Sequence, residues 1–580
     1  MLPYAAPWFV SRDTFVDMIP RSGISSARPR SDGPLRVAVA ALALLLASNM
    51  AWSAEYQWSA PVRSVISSET KDHPRAFLWI PPGCQRVSAV VLAQHNMEEE
   101  PILESPRFRA ALADLNFAEV WVTPGFDLFF RFDRGAGEAF NEMMDSLAKV
   151  SGYSELKYAP IVPMGHSAAA SFPWNFAAWN PDRTLAILSI SGQWPYYKDQ
   201  NTPDWGGRVV DGIPGLVSMG EYEAAESRAG EGLAERQAHP RTALSMLANP
   251  GAGHFDATDA KIDYLALYLK KAAQYRLPAE MPLDGPVKLK PIDPTREGWL
   301  AERWHRDHPP KAAAAAVGSY RGDPKDAFWF FDGELARATE AFETEYRGKK
   351  ADLLGYVQNG KVVPQNPATH QQVTLAFDPL ADGTSFRLKG VFIDAVPPGR
   401  PEGWTGLPRG SHIDHATSGG PVIISRICGP VAQIGPDTWA IRFYRMGTNN
   451  VKRSNEIWLM ATHPGDAEYR RAVQQSVMHL PLTNTVGADQ KIQFSPIPNQ
   501  RLGTESIPLH ATSSAHVPVS FYVREGPAEI QGNNMLKFIP IPPRAKFPVA
   551  VTVVAWQWGR SVDPKLKTAE PVEQTFYITK

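Results

Sequence analysis

Cysteine is nearly absent from this sequence. Cys84 and Cys428 are the only two in 580 residues. That excludes a disulfide-stapled scaffold, and no zinc-finger or iron–sulfur spacing is possible. The two thiols fall in segments expected to fold separately, so they read as unrelated buried cysteines rather than a pair. Net charge is equally scarce: 59 basic residues oppose 60 acidic ones, giving −1. No overall field draws the chain to nucleic acid or to an anionic membrane. Long apolar runs are missing too. The longest, Val37 to Ala47, is shorter than the roughly 20 residues that span a bilayer.

That run has a different use. Arg28, Arg30 and Arg36 precede it, and Ala51 and Ser53 fit the −3 and −1 positions of a cleavage site. A basic region, an apolar region and a small-residue cut site make an export signal. Residues 1–54 are therefore read as a leader that includes a signal peptide. The mature protein is expected to be exported (periplasmic, secreted or at the cell surface), with no integral membrane segment.

What remains is ordinary globular composition, 44% hydrophobic and 21% charged, with length for two to four domains at roughly 100–200 residues each. Residues 60–285 alternate strand-like and helix-like segments. The strands are Arg75 to Ile80, Val87 to Ala93, Ala118 to Thr123, Ile161 to Met164, Leu185 to Ser191 and Gly215 to Met219. The helices are Phe108 to Leu115, Glu138 to Val150, one from Ala168, and Ile262 to Tyr275. This alternation predicts an α/β domain with a mostly parallel sheet covered on both faces. Residues 290–485 begin with Trp299, Trp304 and the Ala-rich stretch Ala312 to Ala316. A helix is expected at Asp332 to Arg347. Strands then dominate, including Gln372 to Phe377, Ser385 to Ile393, Val422 to Ile427, Thr438 to Tyr444 and Glu456 to Ala461, as in a β-rich accessory domain. Residues 488–580 are strand-like throughout, with good alternation in Val517 to Val523 and Val549 to Trp556.

The sharpest chemical signal is Gly165-His166-Ser167-Ala168-Ala169, after an apolar strand and before a helix. A serine on a very tight strand-to-helix turn needs small residues two positions to either side. The turn exposes its hydroxyl above the sheet. It also sets the N–H of Ala168 at a helix start, where an oxyanion can be held. A plain helix-capping serine would need no such neighbours. Pro163, in a strand that should be central, removes a ladder hydrogen bond, so the strand is expected to be bulged or shortened there.

These residues resemble the nucleophile elbow of the α/β-hydrolase superfamily, usually written G-x-S-x-G, with Ala169 in place of the last glycine. The resemblance implies Ser167 as nucleophile. It implies His254, in the glycine-rich loop Gly251-Ala252-Gly253-His254-Phe255 before the last helix, as its base. The acid should lie between them. Glu223, three residues after the turn glycine Gly220, is the first choice and Glu221 the second. The second oxyanion donor would come from Gln94-His95-Asn96-Met97, in an N–H near Asn96 or Met97, where many relatives have glycine. His95, Tyr196 and Trp194 are expected to contact substrate.

The final segment, from Gln490-Lys491-Ile492-Gln493-Phe494 through Val517-Pro518-Val519-Ser520 to Gly526-Pro527-Ala528, resembles bacterial immunoglobulin-like modules. The whole order resembles secreted serine esterases acting on polysaccharides. It implies a carboxylic-ester hydrolase with a Ser-His-Glu triad and an acyl-enzyme. Its substrate would be an acylated polysaccharide that loses acetyl or aromatic acyl groups, and neither cofactor nor metal is needed. The alternatives are a polyester depolymerase or lipase, and a catalytically silent surface or glycan-binding protein. His412-Ile413-Asp414-His415 could suggest a metal, but it follows the turn-like run Pro408-Arg409-Gly410-Ser411 and reads as a polar loop. Asp72-His73 has no visible partner.

Overall fold

A computed structural model describes residues 55–448 and 450–580, and the expected leader lies outside them. The described residues belong to one compact unit.

Eight strands form the main sheet: β1 (Trp58–Pro61), β2 (Arg75–Trp79), β3 (Ala89–Gln94), β4 (Phe117–Thr123), β5 (Ile161–His166), β6 (Ile187–Ile190), β7 (Pro214–Gly220) and β8 (Ala243–Asn249). Their spatial order is β1-β2-β4-β3-β5-β6-β7-β8. β2 pairs antiparallel with both β1 and β4. Every other pairing is parallel. The mixed, mainly parallel α/β sheet expected for this part is therefore present. All residues of β3 to β8 are buried, because helices cover both faces. Alternation sorts the side chains. Val91 and Ala93 enter one core with the helix Asp259–Arg276, and Val90 and Leu92 enter the other with the helix Ala136–Ser151.

Local chemistry explains the helix ends. In Pro106–Leu115, Ser105 accepts the N–H of Phe108, Pro106 takes the first position, and Asn116 closes the helix at φ 55°. The strand β8 is not among the strands expected from the sequence. Its run Ala243-Leu244-Ser245-Met246-Leu247 lacks β-branched residues, and Leu and Met suit helices as well. The register with β7 and the bond from Ser245 Oγ to Trp329 O (2.6 Å) fix it as strand.

The apolar core does not stop at residue 285. Trp299–Glu302, Ala315–Ala316 and Ala327–Phe330 make a small sheet. With the helix Gly333–Thr344 it sends Leu300, Phe328, Trp329 and Leu335 into the core shared with β6 to β8. The following region is built of β-sheets. The largest has five strands in the order Gln365–Asn366, Gln372–Leu375, Ala472–His479, Glu456–His463, Ile423–Cys428. The single strand expected over Ser385 to Ile393 is two. Ser385–Arg387 and Lys389–Phe392 join different sheets on either side of the buried Leu388. The last region pairs Val549–Trp556 with Ser520–Glu525 and Val572–Thr579. Its Phe521, Val551 and Phe576 share a core with the helix Ala136–Ser151. Cys84 and Cys428 are free and buried.

The edge strand β8 has a protonation-sensitive cover. Glu343, 7% exposed, accepts the N–H of Ala248. Burial is the main influence on its carboxyl and pushes it up to about 8, against the opposing backbone bond and Arg347. A carboxyl raised on folding adds stability below its unfolded value of roughly 4.3 and loses it as pH climbs to the folded value. Glu343→Gln keeps the acceptor without the charge. Urea unfolding at pH values from about 5 to about 8 should show the variant gaining on the native protein as pH rises. A pH-independent difference would refute this.

Candidate active site

β5 ends at His166 and the chain reverses at Ser167 with φ 53°. A side-chain-bearing residue held there costs about 1–3 kcal/mol. Ser167–Ala169 forms one 3-10 turn, and the helix proper begins later than expected, at Phe172–Trp179. The turn is so tight that a Cβ on Gly165 would lie 2.0 Å from the Ala169 carbonyl oxygen. Only glycine fits at 165. Pro163 lies in an unbroken register with β3, while the paired residues of the β6 ladder begin only at Met164. The missing N–H thus shortens one ladder and not the strand.

Three side chains meet at this turn. His254 Nε2 is 2.8 Å from Ser167 Oγ, and His254 Nδ1 is 2.7 Å from Glu223 Oε1. The imidazole is the bridge, oriented by the carboxylate on one side and facing the hydroxyl on the other. Burial opposes charge on Glu223. The hydrogen bond from His254 and the neighbouring His254 and His370 outweigh it and hold the carboxyl below its ordinary range. The backbone of His254 is also fixed. Its carbonyl accepts from Ser191 Oγ (2.8 Å) and from His166 Nε2 (3.1 Å). His166, fully buried, is held neutral chiefly by burial, with its pKa well below the usual value.

Glu221, the second choice for the acid, is elsewhere. Its carboxylate accepts the N–H of Gly251 (2.8 Å) and pairs with Arg470 (2.5 Å) and Arg306 (2.7 Å). It ties down the loop that carries His254 and does not touch the imidazole.

The amides named as oxyanion donors differ in what they already bond. Met97 is removed as a donor, because its N–H goes to Glu99 Oε2 (2.8 Å). Among the described residues, the N–H groups of Asn96 and Ala168 have no protein acceptor. The Asn96 side chain explains why asparagine serves where glycine was expected. Its Nδ2 donates to the His166 carbonyl at 2.7 Å, bracing the Ser167 turn against the β3 turn.

Three expected substrate contacts are structural instead. His95 is buried, bonded to Thr123 Oγ1 (2.8 Å) and packed on Trp121. Trp194 is buried against Phe328, with its indole N–H on the Arg228 carbonyl. Tyr196 stacks on His239 and packs against Trp205. Large aromatic area is best spent in cores, which is why a position after a sheet strand did not make these residues substrate walls. His412 and Asp414 are exposed and bonded to each other (3.1 Å), and His415 stacks on Phe392, as a polar loop would have it. His73 finds a partner in the Val65 carbonyl.

Sequence reading missed the groups that hold this arrangement. Glu98, Glu99 and Glu100 are consecutive and at most 1% exposed. Glu98 pairs with Lys261 (2.8 Å), accepts the N–H of Asp256 and lies 3.2 Å from His166 Nε2. Glu99 accepts the N–H groups of Met97 and His166. Glu100 meets Arg426 and Tyr444, and Glu104 meets Arg426 and Arg445. Burial pushes the Glu99 and Glu100 carboxyls up to about 7.

The β-rich region grips the other loops. Arg453 donates to the carbonyls of Asn96 (2.6 Å) and His95. Arg471 donates to Pro250 O and pairs with Asp256. His370 stacks on His254 with ring centroids 5.2 Å apart and stands 3.9 Å from Glu223 Oε1. These partners lie hundreds of residues from the loops they hold. The only sequence signal was three adjacent glutamates just beyond the turn His95-Asn96-Met97 that follows a central strand.

No protein-family model matches the chain, and no curated sequence does. Solved structures do show likeness. A poly(3-hydroxybutyrate) depolymerase from Bordetella parapertussis is 12% identical, with a TM-score of 0.26, over 35% of this chain and 85% of that one. An S-formylglutathione hydrolase from Agrobacterium tumefaciens is 13% identical, with a TM-score of 0.28, over 37% and 94%. An esterase from Pyrobaculum calidifontis is 14% identical, with a TM-score of 0.28, over 43% and 96%.

The turn geometry makes one direct demand. Gly165→Ala forces the Ala169 carbonyl away and tilts Ser167 out of reach of His254. Overpacking of this kind costs about 1–3 kcal/mol. Denaturant unfolding should show that loss. Native stability would show that the close approach is not required.

Proposed function

We propose that this protein is a serine hydrolase of carboxylic esters, working through an acyl-enzyme. The observation that carries the reading is the continuous hydrogen-bonded series Ser167–His254–Glu223, with its hydroxyl on a left-handed turn. In this reading His254 Nε2 takes the Ser167 proton as Oγ attacks the ester carbonyl. The Ala168 and Asn96 amides receive the oxyanion. His254 then passes the proton to the leaving alkoxide, and water reverses the sequence to free the acid. Glu223 fixes the tautomer that leaves Nε2 as acceptor and stabilises the imidazolium.

On the side of the imidazole away from Ser167, His370, Arg400, Gln474 and Gln475 line a small cavity together with Tyr222, Trp404 and Val473. The substrate we propose is an acylated polar alcohol, such as an acetylated or aromatically acylated polysaccharide, with an apolar polyester or lipid as the alternative. Export fits the basic-then-apolar leader. Among the described residues no helix is long and apolar enough to cross a membrane. The β-rich residues 290–485 are read as an accessory region that completes the site, and 488–580 as an immunoglobulin-like module.

The test is turnover of p-nitrophenyl acetate by the full chain. Ser167→Ala should lower kcat to the level of the oxyanion groups alone, and Glu223→Gln should lower it by about 10⁴ through loss of the correct tautomer. Undiminished turnover in Ser167→Ala would sink the proposal. Release of acetate or an aromatic acid from polysaccharide, against release of hydroxyacid from polyester, tests the substrate class.

A further inference from the structure

A second cluster of chemically able side chains lies apart from Ser167, where the chain leaves the strand Trp299–Glu302. Glu302, His305 and Asp326 each offer one ligand atom, and these atoms lie within 4.8 Å of one another. The Glu302 side chain is 5% exposed. Its Oε2 is used, accepting the N–H groups of Lys311 (2.7 Å) and Ala312 (3.3 Å). Its Oε1 is buried with no hydrogen-bond partner among the described residues. His305 Nε2 is equally buried and without one.

These two orphan atoms face each other at 4.0 Å. That is too long for a hydrogen bond, and leaving buried polar atoms unpaired is costly. An ion at about 2.1 Å from each would draw them together by roughly half an ångström, to the tetrahedral ligand separation of about 3.4 Å. The other ring nitrogen, Nδ1, faces the Glu226 carboxylate at 3.8 Å. That is a charge contact and not a hydrogen bond, and it leaves Nε2 as the nitrogen turned toward Glu302. His308 stacks on the His305 ring and limits its rotation. Arg303 engages one oxygen of Asp326 at 3.0 Å, which leaves the other uncommitted.

We propose that Glu302, His305 and Asp326 form a binding site for a divalent transition-metal ion of the zinc class, with water completing its coordination. One imidazole with two carboxylates is the donor mix of such ions, whereas calcium and magnesium prefer all-oxygen sets. The ion would clip the end of one strand to the turn Pro324–Asp326. It would also steady the segment that carries Arg306, whose guanidinium pairs with Glu221 under the histidine loop. The role is structural, and no step of ester cleavage passes through it.

The experiment is calorimetric titration of ZnCl₂ into the chelator-stripped full chain, repeated with CaCl₂. One saturable equivalent of zinc is expected, with no calcium binding at comparable concentration. His305→Ala and Glu302→Gln should each weaken zinc binding by at least about 10-fold. His412→Ala, at the exposed His412–Asp414 pair, should leave it unchanged. Far-UV circular dichroism checks that each variant is folded. Should the variants fail to fold, X-ray absorption on the zinc-loaded native chain decides, since one imidazole with oxygen ligands is expected. No saturable zinc in the native protein overturns the proposal. So does unchanged binding in folded His305→Ala, which would place the ion elsewhere, for example at His254 and His370, and so does sulfur ligation.

Discussion

Three glutamates in a row, almost sealed from water, set the terms for the rest of this molecule. A buried carboxylate without a partner loses several kcal/mol, so each of Glu98, Glu99 and Glu100 has to find donors or a proton. They find them in three directions. Glu98 reaches down to Lys261 and the base of the histidine loop. Glu99 reaches across to the amides on either side of the nucleophile cleft. Glu100 reaches out to Arg426 in the β-rich region. One short stretch after β3 thereby couples the oxyanion turn, the serine turn, the histidine loop and a region encoded more than 320 residues later, as the separation of Arg426 and Glu104 shows.

The arrangement makes sense for a site that must hold strain. Ser167 stands in a backbone conformation that costs free energy, and such conformations persist only where the surroundings over-determine them. Asn96 and Glu99 hold the carbonyl and the N–H of His166, immediately before it. Ser191 and His166 hold the carbonyl of His254. Arg453, Arg470 and Arg471 hold the three loops from above. In the proposed mechanism, preorganisation of this kind would let a hydroxyl, an imidazole and two amides act without rearrangement at the moment charge develops. It also gives the β-rich region a clear physical task. It covers polar loop ends that the sheet alone would leave in water, and it presents His370 to the triad face.

Much of this was legible along the sequence, and the reasons are specific. Gly165 announces the tight turn because the Ala169 carbonyl leaves no room for a side chain there. Gly251 announces the histidine loop because the backbone turns there at φ 70°, a conformation that favours glycine. Short-range constraints of this kind leave a mark on neighbouring residues. Long-range ones do not. Nothing near Glu221 says that it answers to Arg470 and Arg306 while Glu223, two residues on, answers to His254. His95, Trp194 and Tyr196 stand at strand ends where substrate contacts often lie, yet packing claimed them. The strand β8 was hidden because its residues suit helix and strand alike, and only its neighbour in the sheet decides.

The central claim is that Ser167 is made nucleophilic by His254. A fluorophosphonate reagent tests it without any assumption about substrate, because only an activated hydroxyl displaces the fluoride and keeps the phosphonyl group. After treatment of the full chain, peptide mass spectrometry should find a single adduct on the peptide bearing Ser167, absent from His254→Ala. An untouched Ser167 in folded native protein, or equal labelling with and without His254, would contradict the account.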